Sequence, residues 1–433
     1  PSQHLLKQGT LSLLNNVDEG QTEIKIKKSN LFNKPMSINT LQIDNELITY
    51  KSIDTLGDQI ILRNCQRGAF GTTPSAHLKT QPLYKLWDYP YKTLFPDLTL
   101  QDSMAVRLVE IYNNTGLAQI SFDGLEGCTY TGQDDYATAR FVTRCWNGWN
   151  HPVINDGSNL NHYTWHINTR MNWGEPWGEA IRTAQVNNRI KNQDFFNRNL
   201  FPKMLGWFLI RLSDKKFPCT SLEDLEWAMS EASGFDAGFA MTIYMKTLQH
   251  HGQIDTLLDA LHNWETLRMA NVFTAEQKLR LKDPLTEWHL AKINDQNYKL
   301  YPLYISKDYH CDLSELQPGQ PGGADWQWDS PYQSTLKMTI KLDGGGSITN
   351  PTFATPNGTI QFPCELKSKQ LLNYDFNGNA TITDLNYNII TTITPQGKAS
   401  LEKGQSVVSY SCDYDKNDEA PTVIVKYITK GTA

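Results

Sequence analysis

A chain of 433 residues, 39% hydrophobic and 20% charged, is long enough for two or three domains and can bury a sizeable core. Its formal net charge of −6, with both signs mixed along the length, leaves no basic stripe for a phosphate backbone and argues against nucleic acid as a partner. No run reaches the ~18 to 20 apolar residues that cross a bilayer, and residues 1–20 lack the apolar core of a secretion signal, so an exported protein is represented here in mature form.

Residues 1–90 alternate in period two through "TEIKIKKSNLF", "NTLQIDNELITYKSI", "DQIILRNC" and "QPLYKLW", which predicts a small β module. The Gly, Thr and Pro of "QRGAFGTTPSAH" fit a tight loop within it. Near residue 100 the texture changes. "TLQDSMAVRLVEIYNNTG" has helical spacing and an Asp able to cap it, and the short strand and polar loop of "ISFDGLEGC" follow.

The order then repeats: helix "DDYATARFVTRCWNGW", strand "HYTWHINTRMNW", helix "EPWGEAIRTAQVNNRI", strand "MLGWFLIRLS". Helix "SLEDLEWAMSEASGF" opens with Ser221 and Asp224 at capping-box spacing and leads into strand "AGFAMTIYM". Two further helices, "IDTLLDALHNWETLRMANVF" and "TAEQKLRLKDPLTEWHL", carry regular apolar faces.

Such alternation predicts parallel strands covered by helices, an α/β domain over residues 91–322 that forms part of a (β/α)8 TIM-like barrel. The visible strand candidates between residues 118 and 245 are too few to close one. Either a segment outside this chain supplies the first half, or the sheet is open, or strands are hidden. The first is preferred, because residues 85–120 read like a chain entering such a domain midway. Beyond the Pro/Gly-rich "PGQPGGADW", the short alternating runs of residues 323–433 predict a C-terminal β-sandwich.

The seven cysteines lack zinc-type spacing, so neither a metal site nor any other cofactor is expected; Cys128 and Cys145 are one candidate disulfide. The aromatic residues are more telling. The 12 Trp and 19 Tyr cluster beside Gly, Asn and Arg, as in "RCWNGWNHP" and "RMNWGEPWGE", a mixture that suits the apolar faces and hydroxyl rims of sugar rings. Ordinary packing of amphipathic rings is the alternative.

Asp123 at a strand end, "TRMNWGEPWGE", "EWAMSEASGFDAGFAM" and the trailing sandwich together resemble bacterial (β/α)8-barrel glycoside hydrolases acting on α-linked sugars. "ELKSKQLLNYDFNGNATITDLNYNII" is similar to β-domains that follow barrels in polysaccharide-degrading enzymes of Bacteroidetes. The resemblance implies a secreted or periplasmic enzyme with two carboxylates at the barrel's C-terminal face and a polysaccharide or oligosaccharide as substrate.

Glycosidic cleavage needs one carboxyl group to protonate the leaving oxygen and another to attack or to activate water. Asp123 fits the nucleophile, since it follows an apolar strand and Gly124 lets the chain turn away; a plain turn aspartate is the alternative. Glu175, between Trp173 and Trp177, fits the acid, because partial burial favours a protonated carboxyl; a first-turn helix glutamate is its ordinary reading. Glu126 is the second choice. Along the strand expected over residues 162–173, His166, Asn168 and Arg170 share one face and are candidates for substrate contacts, with Trp173, Trp177 and Arg211 as further ones. Two other readings stay open: a non-catalytic carbohydrate-binding protein, and a polysaccharide lyase that would rely on Tyr163, His166 and Arg170 against a uronic acid.

Overall fold

The computed structural model describes residues 2–34, 36–88, 92–158, 162–171, 181–182, 186–316, 320–414 and 420–433. The chain forms two compact units, Pro1–Asn172 with Asn199–Phe201, and Trp173–Arg198 with Pro202–Ala433.

The first unit opens with seven strands: β1 (Lys7–Leu11), β2 (Ile24–Lys27), β3 (Thr40–Ile43), β4 (Glu46–Thr49), β5 (Ser52–Leu56), β6 (Gln59–Arg63) and β7 (Leu83–Leu86). They pair as a sheet β1-β7-β3-β4 and a sheet β2-β6-β5, all antiparallel. Alternate residues turn inward, so Ile24 and Ile26, Ile60 and Leu62, and Leu41 and Ile43 meet in one core with Leu11 and Leu83.

Helix α1 (Leu98–Thr115) follows. Its cap is Asp97, whose carboxylate accepts from Leu100 N at 3.0 Å, and Gly116 ends it with φ 68°. Asp102, within the helix, pairs instead with Arg140 and Arg144 of α2 (Asp134–Gly148). Three parallel strands lie in the order β10-β9-β8: β8 (Gln119–Phe122), β9 (Ile154–Gly157) and β10 (Asn168–Met171). Phe122 packs with Ala105 of α1, Val142 and Cys145 of α2, and Ile167.

Here the structure departs from the sequence reading in three places. The stretch expected as a strand over residues 162–173 begins with a 3-10 turn, His162–Thr164, and is extended only from Asn168. A strand, β9, forms where none is expected. No disulfide joins Cys128 to Cys145; Cys145 is fully buried in the apolar contact between α1 and α2, where desolvation pushes its thiol up to about 12.

In the second unit, α3 (Val186–Arg198) precedes β11 (Met204–Ile210). Most of the helix expected over residues 175–190 lies outside the described residues. Helix α4 (Leu222–Phe235) joins β11 to its parallel neighbour β12 (Gly238–Ile243), and the capping box of Ser221 and Asp224 is formed. Helices α5 (Met245–His250), α6 (Ile254–Met269) and α7 (Ala275–Leu281) follow. The helix expected to run from residue 274 to 290 stops at Leu281, because Pro284 cannot continue it, and β13 (Glu287–Lys292) begins instead.

Strands β13, β14 (Tyr298–Ile305) and β15 (Tyr309–Asp312) join an eight-stranded antiparallel sheet with later strands Lys337–Asp343, Gln370–Tyr374, Ala380–Asp384, Ile389–Ile393 and Thr422–Lys430. A six-stranded sheet, including Gly322–Ser330, Ser347–Thr355 and Gly404–Tyr414, shares its core. Trp328 and Tyr427, both fully buried, stack at 4.2 Å within that core. The β-sandwich pattern expected at the C-terminus is thus present. The described residues hold a three-stranded and a two-stranded parallel sheet, and no closed (β/α)8 barrel is formed among them.

Every residue of α4 from Leu225 to Gly234 is buried, which forces its carboxylates to find partners. Asp224 takes Arg182, Glu223 takes Lys337, and Glu226 accepts from Trp264 Nε1, Leu290 N and His289. Glu231 is the exception: it is 1% exposed, and neither carboxyl oxygen has a hydrogen-bond partner among the described residues. Desolvation, with Glu287 and Asp283 adding to it and Arg189 and Arg182 opposing, pushes its pKa up to about 7. The folded protein keeps this proton to about pH 7, whereas the unfolded chain releases it near 4.5. Stability therefore falls as pH rises between those values, by about 3 kcal/mol, and the loss is complete above the folded pKa. Urea unfolding at pH 5 to 8 should show this slope, and Glu231→Gln should remove it and be the more stable protein at pH 8.

Candidate functional site

The pleat of β8 sorts its residues. Ile120 and Phe122 turn toward the helices, while Gln119, Ser121 and Asp123 on the other face are exposed. In the parallel pairing with β9, Ser121 lies opposite Asp156 and Phe122 opposite Gly157. Asp156 therefore shares the face of Ser121 and Asp123. One more rung, the bond from Ser158 N to Phe122 O at 3.1 Å, carries the ladder past the strand end. With about 3.3 Å of rise per residue and about 4.8 Å between strands, the Cα atoms of Asp123 and Asp156 lie roughly 8 Å apart.

Asp156 is 2% exposed. Its Oδ2 accepts from Nε and Nη2 of Arg170 on β10, at 2.7 and 2.6 Å. Its Oδ1 has no partner among the described residues. A carboxylate that is buried and charge-paired in this way fixes the part-exposed Arg170 guanidinium at the strand ends.

The sequence-derived candidates fall as follows. Asp123 and Arg170 lie toward the C-terminal ends of β8 and β10, on the face opposite the helices. Asn168 does not share that face: the register shifts between Asn168 and Arg170, setting the former against Asn155 and the latter against Asp156. Asn168 is buried and donates to Thr164 Oγ1 at 3.0 Å. His166 precedes the strand, is exposed, and meets the Trp165 ring edge-on at 5.5 Å. Glu126 belongs to the 3-10 helix Leu125–Thr131, entered through Gly124 at φ 75°; its side chain is outside the description. Trp173, Glu175 and Trp177 lie outside the described residues. Arg211 belongs to the second unit, where it is buried over the Phe217 ring at 4.7 Å with Asp214 Oδ2 at 3.8 Å.

Sequence reasoning missed Asp156. Its signal was nevertheless present, since "VINDG" repeats the strand-then-Asp-Gly pattern of "ISFDG". Among the described residues no cluster of three or more His, Cys, Asp or Glu is placed to hold a metal ion, and no helix is long and apolar enough to cross a membrane.

No protein-family model matches the chain, and a search of curated proteins returns no match. Among solved structures, it is similar to a family 35 carbohydrate-binding module from Clostridium thermocellum, at 12% identity over 29% of this chain and 90% of that one, with a TM-score of 0.14. It is also similar to a cycloisomaltooligosaccharide glucanotransferase of Paenibacillus sp. complexed with cycloisomaltoheptaose, at 9% identity and a TM-score of 0.16. That match covers 94% of this chain, which spans 44% of the glucanotransferase chain. Both neighbours are carbohydrate-active proteins; at these TM-scores neither decides the fold.

The buried pair gives a direct test of the site's construction. Arg170→Leu should strand the Asp156 carboxylate and destabilise the protein by about 3 kcal/mol, the low end for a broken buried pair because Arg170 is itself 34% exposed. Arg170→Leu with Asp156→Asn should recover most of that loss in a urea titration.

Proposed function

We propose that the C-terminal edge of β8, β9 and β10 is a glycosidase site acting on a polysaccharide or oligosaccharide. The observation that carries this reading is the placement of an exposed Asp123 beside the fixed Asp156–Arg170 pair, on the sheet face that α1 and α2 leave open. In a (β/α)8 barrel this is the inward face, and strand ends on its C-terminal side are where such enzymes hold their reacting groups. A periplasmic or secreted location goes with a polymeric substrate.

In this reading Asp123 attacks the anomeric carbon and a second carboxyl group, Glu175 in the sequence reading, protonates the departing oxygen. Glu126 is the alternate acid. Arg170, held by Asp156 and itself 34% exposed, donates to a sugar hydroxyl at the same strand ends. The same ion pair weighs against a lyase, because Arg170 is already committed to Asp156 and is not free to neutralise a uronate. The exposed rings of Tyr163 and Trp165, just before β10, would serve a binding module as well as an enzyme.

Asp123→Asn should lower sugar release from a panel of neutral and acidic glycans by about a thousandfold or more while leaving the melting temperature unchanged. Undiminished turnover would reject Asp123 as the nucleophile. Glycan binding by the wild type with no sugar released, and no unsaturated uronide among the products, would favour the binding module.

A further inference from the structure

The loop "QRGAFGTTPSAH" takes no part in the proposed reaction, yet it is densely anchored within the first unit. At its base Glu46, with a fully buried side chain, accepts from Nε and Nη2 of Arg67 at 2.8 and 2.7 Å, Gly68 N at 3.0 Å, Ser75 N at 3.1 Å and His77 Nε2 at 2.7 Å. Thr72 Oγ1 ties the loop to Leu47 N at 3.0 Å, and Ala69 is buried against Leu47 and Leu86. At Gly68, φ 62°, a Cβ would stand 2.6 Å from Thr72 O and 2.7 Å from Pro74 Cδ, so only glycine fits.

Phe70, at the tip, is out of keeping with this order. Its backbone is left-handed, φ 56° and ψ 31°, a conformation unfavourable for an aromatic residue, and its side chain is 60% exposed. The anchored loop holds an apolar ring in water at a backbone cost that packing does not explain. The ring borders a cavity of about 710 Å³ whose wall includes Asp44, Asn45, Thr72, Thr73 and Ser75. That volume is in the range of small-molecule sites, and a single aromatic face rimmed by hydroxyl, amide and carboxylate groups is the chemistry of sugar recognition.

We propose that this cavity is an accessory glycan-binding subsite, in which one pyranose ring lies on Phe70 and its hydroxyls bond to Asn45, Thr73 and Asp44. The ligand is a neutral saccharide. Asp44 stands half-exposed in the wall, Arg67 beside it is spent on Glu46, and no Lys or Arg is among the described residues that line the cavity, so a uronate or sulfate would meet like charge there. The proposal rests on the carbohydrate reading above but not on catalysis.

The test uses the full chain carrying Asp123→Asn, so that turnover cannot mask binding. Affinity electrophoresis through dextran, pullulan, xylan and glucomannan, with polygalacturonate as the acidic control, reads the interaction. Retardation by at least one neutral polymer is expected, at least tenfold weaker in Phe70→Ala, preserved in Phe70→Tyr, and absent with polygalacturonate. Unchanged melting temperatures confirm that both variants are folded, as exposure of the ring implies. Equal retardation of Phe70→Ala and its parent, or no retardation of the parent by any neutral polymer, overturns the subsite. Retained sugar release by Asp123→Asn would instead sink the proposed nucleophile while leaving a Phe70-dependent retardation standing.

Discussion

A strand of four residues has little pairing energy with which to choose its register, so the burial of Phe122 between α1 and α2 decides which way β8 faces. Burying such a ring is worth about 2 kcal/mol. Shifting β8 by one residue would expose Phe122 and Ile120 and press Ser121 and Asp123 against the apolar sides of both helices, adding the cost of an unpaired buried carboxylate. One hydrophobic contact thereby fixes the exposed position of Asp123. The parallel ladder passes that choice to β9, where Asp156 falls on the same face because it stands opposite Ser121.

The local grammar of the sequence carried much of the fold and less of the site. Helices such as α2 and α4 were legible because their apolar residues recur at helical spacing and Ser221 with Asp224 marks a start. Strand β9 was not, because its pattern is inverted: Ile154 is exposed, while Asn155 and Asp156 are buried. Those polar residues are tolerated inside because Asn155 donates to Val153 O, its own carbonyl accepts from Thr169 Oγ1, and Asp156 has Arg170. A hydrophobicity pattern cannot announce a strand whose buried polar residues are held, in part, by hydrogen bonds formed only after folding. Strand β10 misled for a related reason. Period-two reasoning assumes an unbroken ladder, and a register shift between Asn168 and Arg170 sends two residues expected on one face to opposite sides.

The abundance of tryptophan carries less functional weight than its clustering first suggests. Trp227, Trp264, Trp288 and Trp328 are all buried, and Trp328 stacks with Tyr427 in the sandwich core. For these the ordinary explanation holds: large amphipathic rings fill a core and, where geometry allows, spend their N–H on a partner, as Trp264 does on Glu226 and Trp227 on Pro284 O. Exposed rings are different. Trp146, Tyr163 and Trp165 leave much of their surface in water, and they belong to the first unit with Asp123 and Phe70.

Three buried carboxylates show how the surroundings decide what such a group can do. Burial raises the pKa of Glu46, but the donors of Arg67, His77, Gly68 and Ser75 outweigh it and hold the group below the usual carboxylate range. Saturated in this way, it has no capacity left for a ligand and serves as an anchor for the loop around it. Glu231 has no such donors among the described residues, and its burial is relieved by keeping a proton. Asp156 stands between these cases. Arg170 engages one oxygen and leaves the other without a donor, at a strand end whose neighbour on β8 is exposed. That second oxygen is itself buried, so what the pair presents at this edge is the part-exposed guanidinium of Arg170, held in place beside the exposed end of β8.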